Sequence, residues 1–341
     1  MRVVSLLPSA TEIVYALGIE PVGVSHECDH PSAAADVPAM NRSHVDASAS
    51  SAEIDRQVLE AERADGVYEI DLATLKALDP DLVITQGVCE VCAVDSVLVR
   101  EAIDRLGLDC AVLTTDPHSV EDVFEDVRRI GEATGRAERA AGLVADLRGR
   151  VERVEERAAA AAEDGTPGGE TAGAAATTEA AGSPATTPET TATAEGRPRV
   201  AVLDWIDPVM VAGHWVPGMV ERVGGSHGLN GPDEPSRPIE WADVREYDPE
   251  VFVVAPCGFD LEQVDENLTD LTDRPGWSDL TAVRAGRAYA IDGHDYLNRP
   301  GPRLVDSLEH LAGLVRPDTF ERPSPAVVQS LSKRRAESVE S

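Results

Sequence analysis

The strongest constraint on the fold is an alternation of short apolar runs and amphipathic segments, interrupted once by a long stretch without helix breakers. Alternation of this kind predicts parallel sheets covered by helices. The candidate strands are 3–7, 22–25, 82–85 and 110–113 in the first half, and 200–203, 251–255 and 288–291 in the second. The candidate helices are 52–64, 71–78, 96–106, 120–134, 216–223, 241–247, 261–271 and 303–315.

The uninterrupted stretch divides the chain into two α/β lobes. Residues 136–163 are rich in Ala, Arg and Glu and predict one helix that connects the lobes. Ala, Thr, Gly, Glu and Pro dominate the segment that follows, which cannot bury enough apolar area to order itself. The predicted organisation is an N-terminal lobe (1–135), a connecting helix (136–163), a disordered insertion (164–198), a C-terminal lobe (199–317) and a flexible tail (318–341).

The first strand passes through Pro8 directly into a helix. Ser9 and Glu12 have the spacing of a capping box, which would satisfy amides at the helix start. In a sheet of this type the helix N-terminus points to the carboxyl end of the strand, where ligands bind. A second pattern supports two related lobes, because 75–84 and 244–253 share a helix end, an Asp-Pro turn and an apolar strand.

The chain is strongly acidic, with a formal net charge of −32 at pH 7. A protein of this charge is not expected to bind nucleic acid or an anionic membrane surface, since both require a basic patch. An acidic surface is typical of halophilic proteins, and a cationic partner is the alternative. The sequence contains no apolar run long enough to span a membrane, and no export signal precedes the first strand. These features predict a cytoplasmic protein, with an extracellular location left open if a signal is missing from the start.

Two groups of metal-binding residue types follow candidate strands of the N-terminal lobe. His26 and Cys28 come after the second strand, and Cys89 and Cys92 come after the strand at 82–85. Because the carboxyl ends of parallel strands meet at one edge of a sheet, these side chains are expected to share a cleft. They could ligate zinc or iron. A redox pair formed by Cys89 and Cys92, or simple packing of small side chains, are the alternatives.

The chain resembles the substrate-binding proteins of ABC importers for cobalamin and iron-siderophores. The residues that carry the resemblance are 2–12, 21–25, 78–84, 220–225 and the Asp-Pro-Glu-Val stretch that starts at Asp248. The His-Glu-Cys-Asp-His-Pro and Thr-Gln-x-x-Cys-Glu-x-Cys-Ala signatures are similar to a signal-less subgroup of the cobalamin branch. The resemblance implies two Rossmann-like lobes, a rigid helix between them, a ligand cleft and little hinge motion.

The resemblance also implies roles for particular residues. Trp205 and Tyr296 would give apolar contact to a flat macrocycle, and Asn298 and Arg299 would hydrogen-bond its polar groups. The helix N-terminus at Ser9 would bind polar atoms of the ligand. Importer-coupled relatives dock on their permease through one exposed acid per lobe, and Glu221 is the matching residue of the second lobe.

The predicted function is therefore non-catalytic binding of cobalamin, another corrinoid or a related metal chelate by a monomer, with an ABC permease as the partner. The main alternative is a cytoplasmic metal-binding or thiol redox protein that uses the same fold without a transporter. A third possibility is a docking protein without a ligand, in which the cleft is filled by its own side chains.

Overall fold

The computed structural model describes residues 1–64, 66–87, 94, 96–164 and 196–331. Residues 165–195, which make up most of the predicted insertion, lie outside this part, as do residues 332–341 of the predicted tail. The strands are β1 Val3–Ser5, β2 Gly23–Val24, β3 Asn41–Ser43, β4 Tyr68–Ile70, β5 Leu82–Gln86, β6 Ala111–Thr115, β7 Val200–Trp205, β8 Met210–Val211, β9 Arg237–Pro238, β10 Val251–Val254, β11 Ala288–Ile291 and β12 Val328–Ser330. The helices are α1 Pro8–Ala16, α2 Ser51–Glu62, α3 Leu72–Leu78, α4 Ser96–Leu106, α5 Val120–Ala133, α6 Ala137–Asp164, α7 Trp215–Arg222, α8 Trp241–Tyr247, α9 Leu261–Glu266, α10 Thr269–Thr272, α11 Thr281–Arg284 and α12 Leu304–Val315.

The N-terminal lobe contains a parallel sheet with the strand order β2-β1-β5-β6. Its two inner strands are buried along their whole length, as expected for strands covered by helices on both faces. The prediction of an α/β lobe with a parallel sheet is confirmed here. A separate antiparallel pair, β3 and β4, was not predicted because its three-residue strands are too short to show a pattern.

The sheet of the C-terminal lobe has the order β12-β11-β10-β7-β8-β9. The three central strands, β7, β10 and β11, are parallel as predicted, whereas β8, β9 and β12 add antiparallel edges. Strand β12 lies in the tail that was predicted to be flexible from residue 318. That prediction is wrong up to Leu331, because Val328 and Gln329 pair with β11. A short polar edge strand has too weak a sequence signal to be recognised in isolation.

The two Asp-Pro turns have the same backbone conformation in both lobes. Asp79 ends α3 and Asp248 ends α8, each in the left-handed region with φ of 43° and 45°. Aspartate tolerates this conformation better than most residues because its short side chain can hydrogen-bond locally. Each turn leads into a fully buried strand, β5 or β10, so the repeated sequence pattern corresponds to a repeated structural unit.

Helix α6 is the connection between the lobes. Its buried residues are spaced by three and four positions and form one apolar stripe: Ala140, Val144, Leu147, Val151, Val154 and Ala158. This stripe belongs to a single core cluster that includes residues from both sheets. Ion pairs from Arg150 to Asp306 and Glu309, and from Arg222 to Glu155, also tie α6 to the C-terminal lobe. A continuous core along one helix leaves little freedom for hinge motion.

The start of α1 differs from the prediction. The helix begins at Pro8, and Leu7, which has no polar side-chain atom, occupies the N-cap position. Proline suits this place because the first amides of a helix have no intrahelical partner. The Ser9–Glu12 capping box is therefore absent, and Glu12 instead accepts hydrogen bonds from Arg303 of the other lobe.

Helix α2 crosses to the C-terminal lobe, although the sequence order places it in the N-terminal one. Ile54 belongs to the same buried cluster as Leu203 and Phe259. The backbone amide of Ser51 donates to Asn267 Oδ1 at 3.0 Å, which fixes the start of the helix. As a result, α2 bridges one side of the space between the lobes.

Candidate functional site

A cavity of about 770 Å³ lies between the two lobes. Residues at the ends of parallel strands reach it from both sides, including Ser9 and Gln86 from one lobe and Trp205 and Cys257 from the other. This is the edge at which ligands bind in open α/β sheets. The predicted interlobe cleft therefore follows from the strand order of the two sheets.

The walls of the cleft are mainly apolar and aromatic. Helix α2 and the segments beside it contribute Val45, Ile54, Val58, Leu59 and Tyr68. The C-terminal lobe contributes Trp205, Met210, Trp215 and Phe259. The Leu59 side chain is 43% exposed, one of the few large apolar side chains in the described part of the chain with that much contact with water. An apolar ligand in the cleft would remove this surface from water, which is favourable.

Four of the five predicted ligand contacts lie in the cleft. Ser9, Trp205, Asn298 and Arg299 line the cleft. Tyr296 does not, because its ring packs against the core and meets the edge of the His310 ring at a centroid distance of 5.1 Å. Neighbouring residues of a loop point in different directions, and no local pattern indicates which of them faces the cleft.

The two predicted polar contacts already hold the loop that carries them. The Asn298 Nδ2 group donates to the carbonyl oxygens of Ala255 and Gly293, at 2.9 and 3.1 Å. The Arg299 guanidinium donates to Asp29 Oδ1 of the other lobe at 2.6 Å. Both side chains therefore shape the cleft before any ligand arrives, and their role as ligand contacts remains a prediction.

The predicted metal ligands are not brought together in the described part of the chain. His26 lines the cleft, and its Nε2 atom lies 2.9 Å from Glu27 Oε1, a contact that raises the pKa of the imidazole. Cys28 packs with Val24 and Ala34 away from the cleft, which corrects its assignment as a ligand that shares a site with His26. Cys89 and Cys92 lie outside the described residues.

Burial also disfavours the thiolate form of Cys28 in the metal-free protein. It raises the pKa of the Cys28 thiol to about 11, although the Thr11 hydroxyl, whose Oγ1 lies 3.1 Å from the sulfur, acts in the opposite direction. Metal ligation requires the thiolate. The sequence pattern of alternating His and Cys could not reveal that the sulfur turns into the lobe interior.

An ion-pair network, which the sequence did not predict, closes one end of the cleft. Arg303 and Arg299 of the C-terminal lobe meet Glu12 and Asp29 of the N-terminal lobe, with Arg303 Nη2 2.6 Å from Glu12 Oε1. Asp29, His294 and Asp295 lie within 4.8 Å of one another and have the donor types of a metal site. However, both guanidinium groups already neutralise this cluster, and Arg299 Nη2 lies 2.8 Å from His294 Nε2.

Asp204 is a candidate functional residue that the sequence analysis missed. It lies near the end of β7 and lines the cleft, and its Oδ1 atom is shielded from solvent without a hydrogen-bond partner in the described structure. Burial raises the pKa of Asp204 to about 6. A shielded oxygen without a partner is costly for the empty protein and is suited to accept a hydrogen bond from a ligand. A single acid in the otherwise apolar run at 200–205 was the available signal.

We expect Asp204→Asn to stabilise the ligand-free protein at pH 8 by about 1–2 kcal/mol and by about half as much at pH 5. Because the folded-state pKa is raised, the native protein binds more protons than the unfolded chain between pH 4 and 6, and stability falls as pH rises through this window. Urea unfolding of both proteins at the two pH values measures the difference. An equal difference at pH 5 and pH 8 would show that the Asp204 carboxyl is not perturbed.

His214 lies on the wall that separates the cleft from a second recess beside α6, and it lines both. Burial, together with the neighbouring His118 ring, lowers the pKa of His214. Glu221 is exposed and lines the second recess rather than the cleft. Its docking role remains a prediction.

None of the helices in the described part of the chain is both long enough and apolar enough to cross a membrane.

Known proteins show the same architecture. An uncharacterized ABC transporter substrate-binding lipoprotein, YvrC of Bacillus subtilis, is 24% identical over 325 residues, which cover 94% of this chain and 81% of the relative. A periplasmic heme-binding protein from Pseudomonas aeruginosa superposes with a TM-score of 0.66 at 21% identity, covering 96% of this chain and 97% of the other. The periplasmic vitamin B12-binding protein of Vibrio cholerae superposes with a TM-score of 0.60 at 18% identity, covering 92% and 96%.

These relatives correct the predicted location. The Bacillus protein is a lipoprotein and the Pseudomonas and Vibrio proteins are periplasmic, so the expectation of a cytoplasmic protein is wrong. That expectation depended on the absence of an export signal before Val3, and the start of this sequence does not decide the compartment. The alternative of a cytoplasmic metal-binding or redox protein loses its main support for the same reason.

The family comparison agrees with the geometry of the cleft. The model of the family described as "Periplasmic binding protein" matches residues 3–178, about half of the chain. The matched family and the relatives are binding proteins, which confirms the prediction of a non-catalytic protein. This chain belongs to the periplasmic binding protein family, as the match over residues 3–178 shows together with the two α/β lobes and the connecting helix.

Proposed function

We propose that this protein is the substrate-binding component of an ABC importer and that its ligand is a metal chelate of the corrinoid class. The observation that carries the proposal is the interlobe cleft of about 770 Å³, with aromatic and aliphatic walls from both lobes. This volume lies within the range of cavities that enclose small molecules, and mainly apolar walls with few polar groups are typical of such sites.

The apolar surfaces that Trp205 and α2 present to the cleft suggest the shape of the ligand. Trp205 packs against Phe259 with ring centroids 5.1 Å apart, and its Nε1 group already donates to the Asp207 carbonyl oxygen at 3.1 Å. The indole is therefore held in place and offers apolar surface rather than a hydrogen bond. Beside it, α2 supplies Val58 and Leu59 to the lining of the cleft, and Val58 packs against the same apolar cluster as Trp205. A flat macrocycle would cover both surfaces.

The relatives support a macrocyclic metal complex as the ligand class. The Pseudomonas structure binds heme and the Vibrio structure binds vitamin B12, and each ligand carries a metal in a large ring. Of the four side chains predicted to hold the metal, His26 is the one that the described residues place in the cleft. In the proposed complex, Asp204 accepts a hydrogen bond from a donor at the edge of the ligand.

We expect Trp205→Ala to weaken ligand binding about tenfold, which corresponds to about 1.4 kcal/mol, because the substitution removes one apolar wall. Cobalamin, heme and a ferric hydroxamate would each be titrated into the purified protein, with dissociation constants from isothermal calorimetry. Trp241→Ala is the matched control, since that indole stacks on Trp277 at a distance from the cleft.

The proposal predicts that cobalamin binds more tightly than the other two compounds. Tighter binding of heme would retain the importer role and overturn the corrinoid assignment. Failure of all three compounds to bind, or equal affinity in the wild type and Trp205→Ala, would overturn the cleft as the ligand site.

The partner in this function is an ABC permease. Glu221 is exposed on α7 and is the residue proposed to contact it. Its neighbour Arg222 is committed to Glu121 and Glu155, so the Glu221 carboxylate is the group on this turn that remains available to a partner.

A further inference from the structure

Two histidines from different lobes face each other beside the cleft. His118 lies in the loop between β6 and α5, and His214 lies between β8 and α7. Their Nδ1 atoms are 3.1 Å apart, and their ring centroids are 5.2 Å apart. They are 96 positions apart in sequence, so the arrangement depends on how the two lobes pack together.

We propose that His118 and His214 form a binding site for a divalent transition-metal ion that joins the two lobes. Zinc binds imidazole nitrogen at 2.0–2.1 Å, so two ligands of a tetrahedral site have nitrogens about 3.4 Å apart. The Nδ1 atoms need to separate by only a few tenths of an ångström to reach that geometry. Water would complete the coordination.

Asp116 gives the site the support that metal-binding histidines usually have. The Asp116 Oδ1 atom lies 3.4 Å from His118 Nε2. A shift of a few tenths of an ångström would bring this carboxylate within hydrogen-bond range of Nε2, where it would favour the tautomer whose Nδ1 lone pair is available to a metal. Such contacts fix the tautomer and the orientation of the ring and strengthen metal binding.

The backbone at His214 is held in an unusual conformation. Its φ of 52° and ψ of −119° are rarely adopted by a residue with a side chain. Three contacts maintain it: the His214 amide donates to the Glu234 carbonyl oxygen at 2.6 Å, the Asp233 amide donates to the His214 carbonyl oxygen at 3.1 Å, and Gly213 allows a close backbone approach. Strain of this kind persists where the surroundings enforce it, and it is concentrated at functional sites.

The electrostatic surroundings favour a cation. Among the described residues, neither imidazole is hydrogen-bonded to a guanidinium, in contrast to the cluster around Asp29 and His294. The His118 side chain is 41% exposed, which leaves a path for an ion from solvent. Imidazole ligands favour zinc, nickel and copper over calcium and magnesium.

A metal ion at this position would restrict movement of the lobes. Helix α6 already limits their separation, and a bond through His118 and His214 would add a second connection on the wall of the cleft. His214 also lines the cleft, so Zn²⁺ binding is measured without a chelate present.

The experiment titrates Zn²⁺ into metal-free full-length protein by isothermal calorimetry. We expect one site whose affinity falls at least about 100-fold in His118→Ala and in His214→Asn, and about 10–100-fold in Asp116→Asn. Asparagine is chosen at position 214 because it tolerates a positive φ. The control is His44→Ala, which removes an exposed histidine outside both recesses and is expected to leave Zn²⁺ binding unchanged. The variants His294→Ala and Cys89→Ser/Cys92→Ser test the competing sites.

A spectroscopic measurement identifies the ligands directly. With one equivalent of Cu²⁺, the electron paramagnetic resonance spectrum should show coupling to two imidazole nitrogens in the wild type and to one in either histidine variant. Absence of stoichiometric Zn²⁺ binding would overturn the proposal. Loss of binding in the cysteine or His294 variant, with binding unaffected in both the His118 and the His214 variant, would overturn it as well. Circular dichroism confirms that each variant is folded.

Discussion

Replacing Arg303 with methionine is expected to lower the free energy of unfolding by about 3 kcal/mol at pH 7. The Arg303 side chain is 14% exposed and donates to Glu12, which is 3% exposed, through Nε at 3.0 Å and Nη2 at 2.6 Å. Removing one member of a buried ion pair leaves the other charge buried without compensation. Arg299, whose Nη1 lies 3.8 Å from Glu12 Oε1, keeps the loss at the lower end of the usual range.

Urea unfolding monitored by circular dichroism measures this loss. Methionine keeps an unbranched apolar side chain at this position, but it also loses the contact of the Arg303 guanidinium with the Tyr296 ring, whose centroid lies 5.8 Å from the guanidinium carbon. Arg56→Met is the matched control, because its two ion pairs with Glu53 and Glu60 are exposed and are expected to contribute little to stability.

A double-mutant cycle separates the ion pair from packing. Adding Glu12→Gln to Arg303→Met should recover part of the lost stability, because the buried charge is removed together with its partner. If Arg303→Met unfolds at the same urea concentration as Arg56→Met, the network does not hold the lobes together.

Replacing Gly293 with alanine is expected to lower the free energy of unfolding by about 2 kcal/mol and to weaken ligand binding. A Cβ atom at this position would lie 2.1 Å from the Pro256 carbonyl oxygen and 2.9 Å from two backbone carbons. Backbone atoms of the neighbouring loop cannot move aside as a flexible side chain can. The loop that begins at Gly293 must therefore shift, and it carries Asn298 and Arg299 on the wall of the cleft.

The effect is measured by urea unfolding together with titration of the ligand identified by calorimetry. Gly142→Ala is the matched control: an added Cβ meets no atom within 4 Å on α6, so alanine should stabilise this helix by up to about 1 kcal/mol. Unchanged stability and affinity in Gly293→Ala would show that the two loops are not in fixed contact.

The fold could be predicted because its signals are local. The apolar runs of β5, β10 and β11, and the repeated Asp-Pro turns at Asp79 and Asp248, are each readable within about ten residues. The residues that line the cleft could be predicted only in part. Ser9 was expected from its place at a helix start after the first strand, and Trp205 and Arg299 from the family resemblance, whereas Asp204 was missed.

The errors share a physical cause. Cys28 and Tyr296 lie on the expected loops, but the direction of a side chain in a loop depends on what packs against it. The Ser9–Glu12 motif had the spacing of a cap, yet Glu12 binds Arg303, which is 291 positions away. A motif defined by spacing cannot include a partner from another lobe.

The sequence by itself determined the order of strands and helices, the two lobes and the helix between them, because hydrophobic periodicity and turn residues act over short distances. Only the tertiary structure decided which side chains meet between the lobes: α2 against the C-terminal core, Arg303 against Glu12, and His118 against His214. These contacts join residues that are remote in the chain, and their free energy depends on burial and charge that arise only when the lobes pack together.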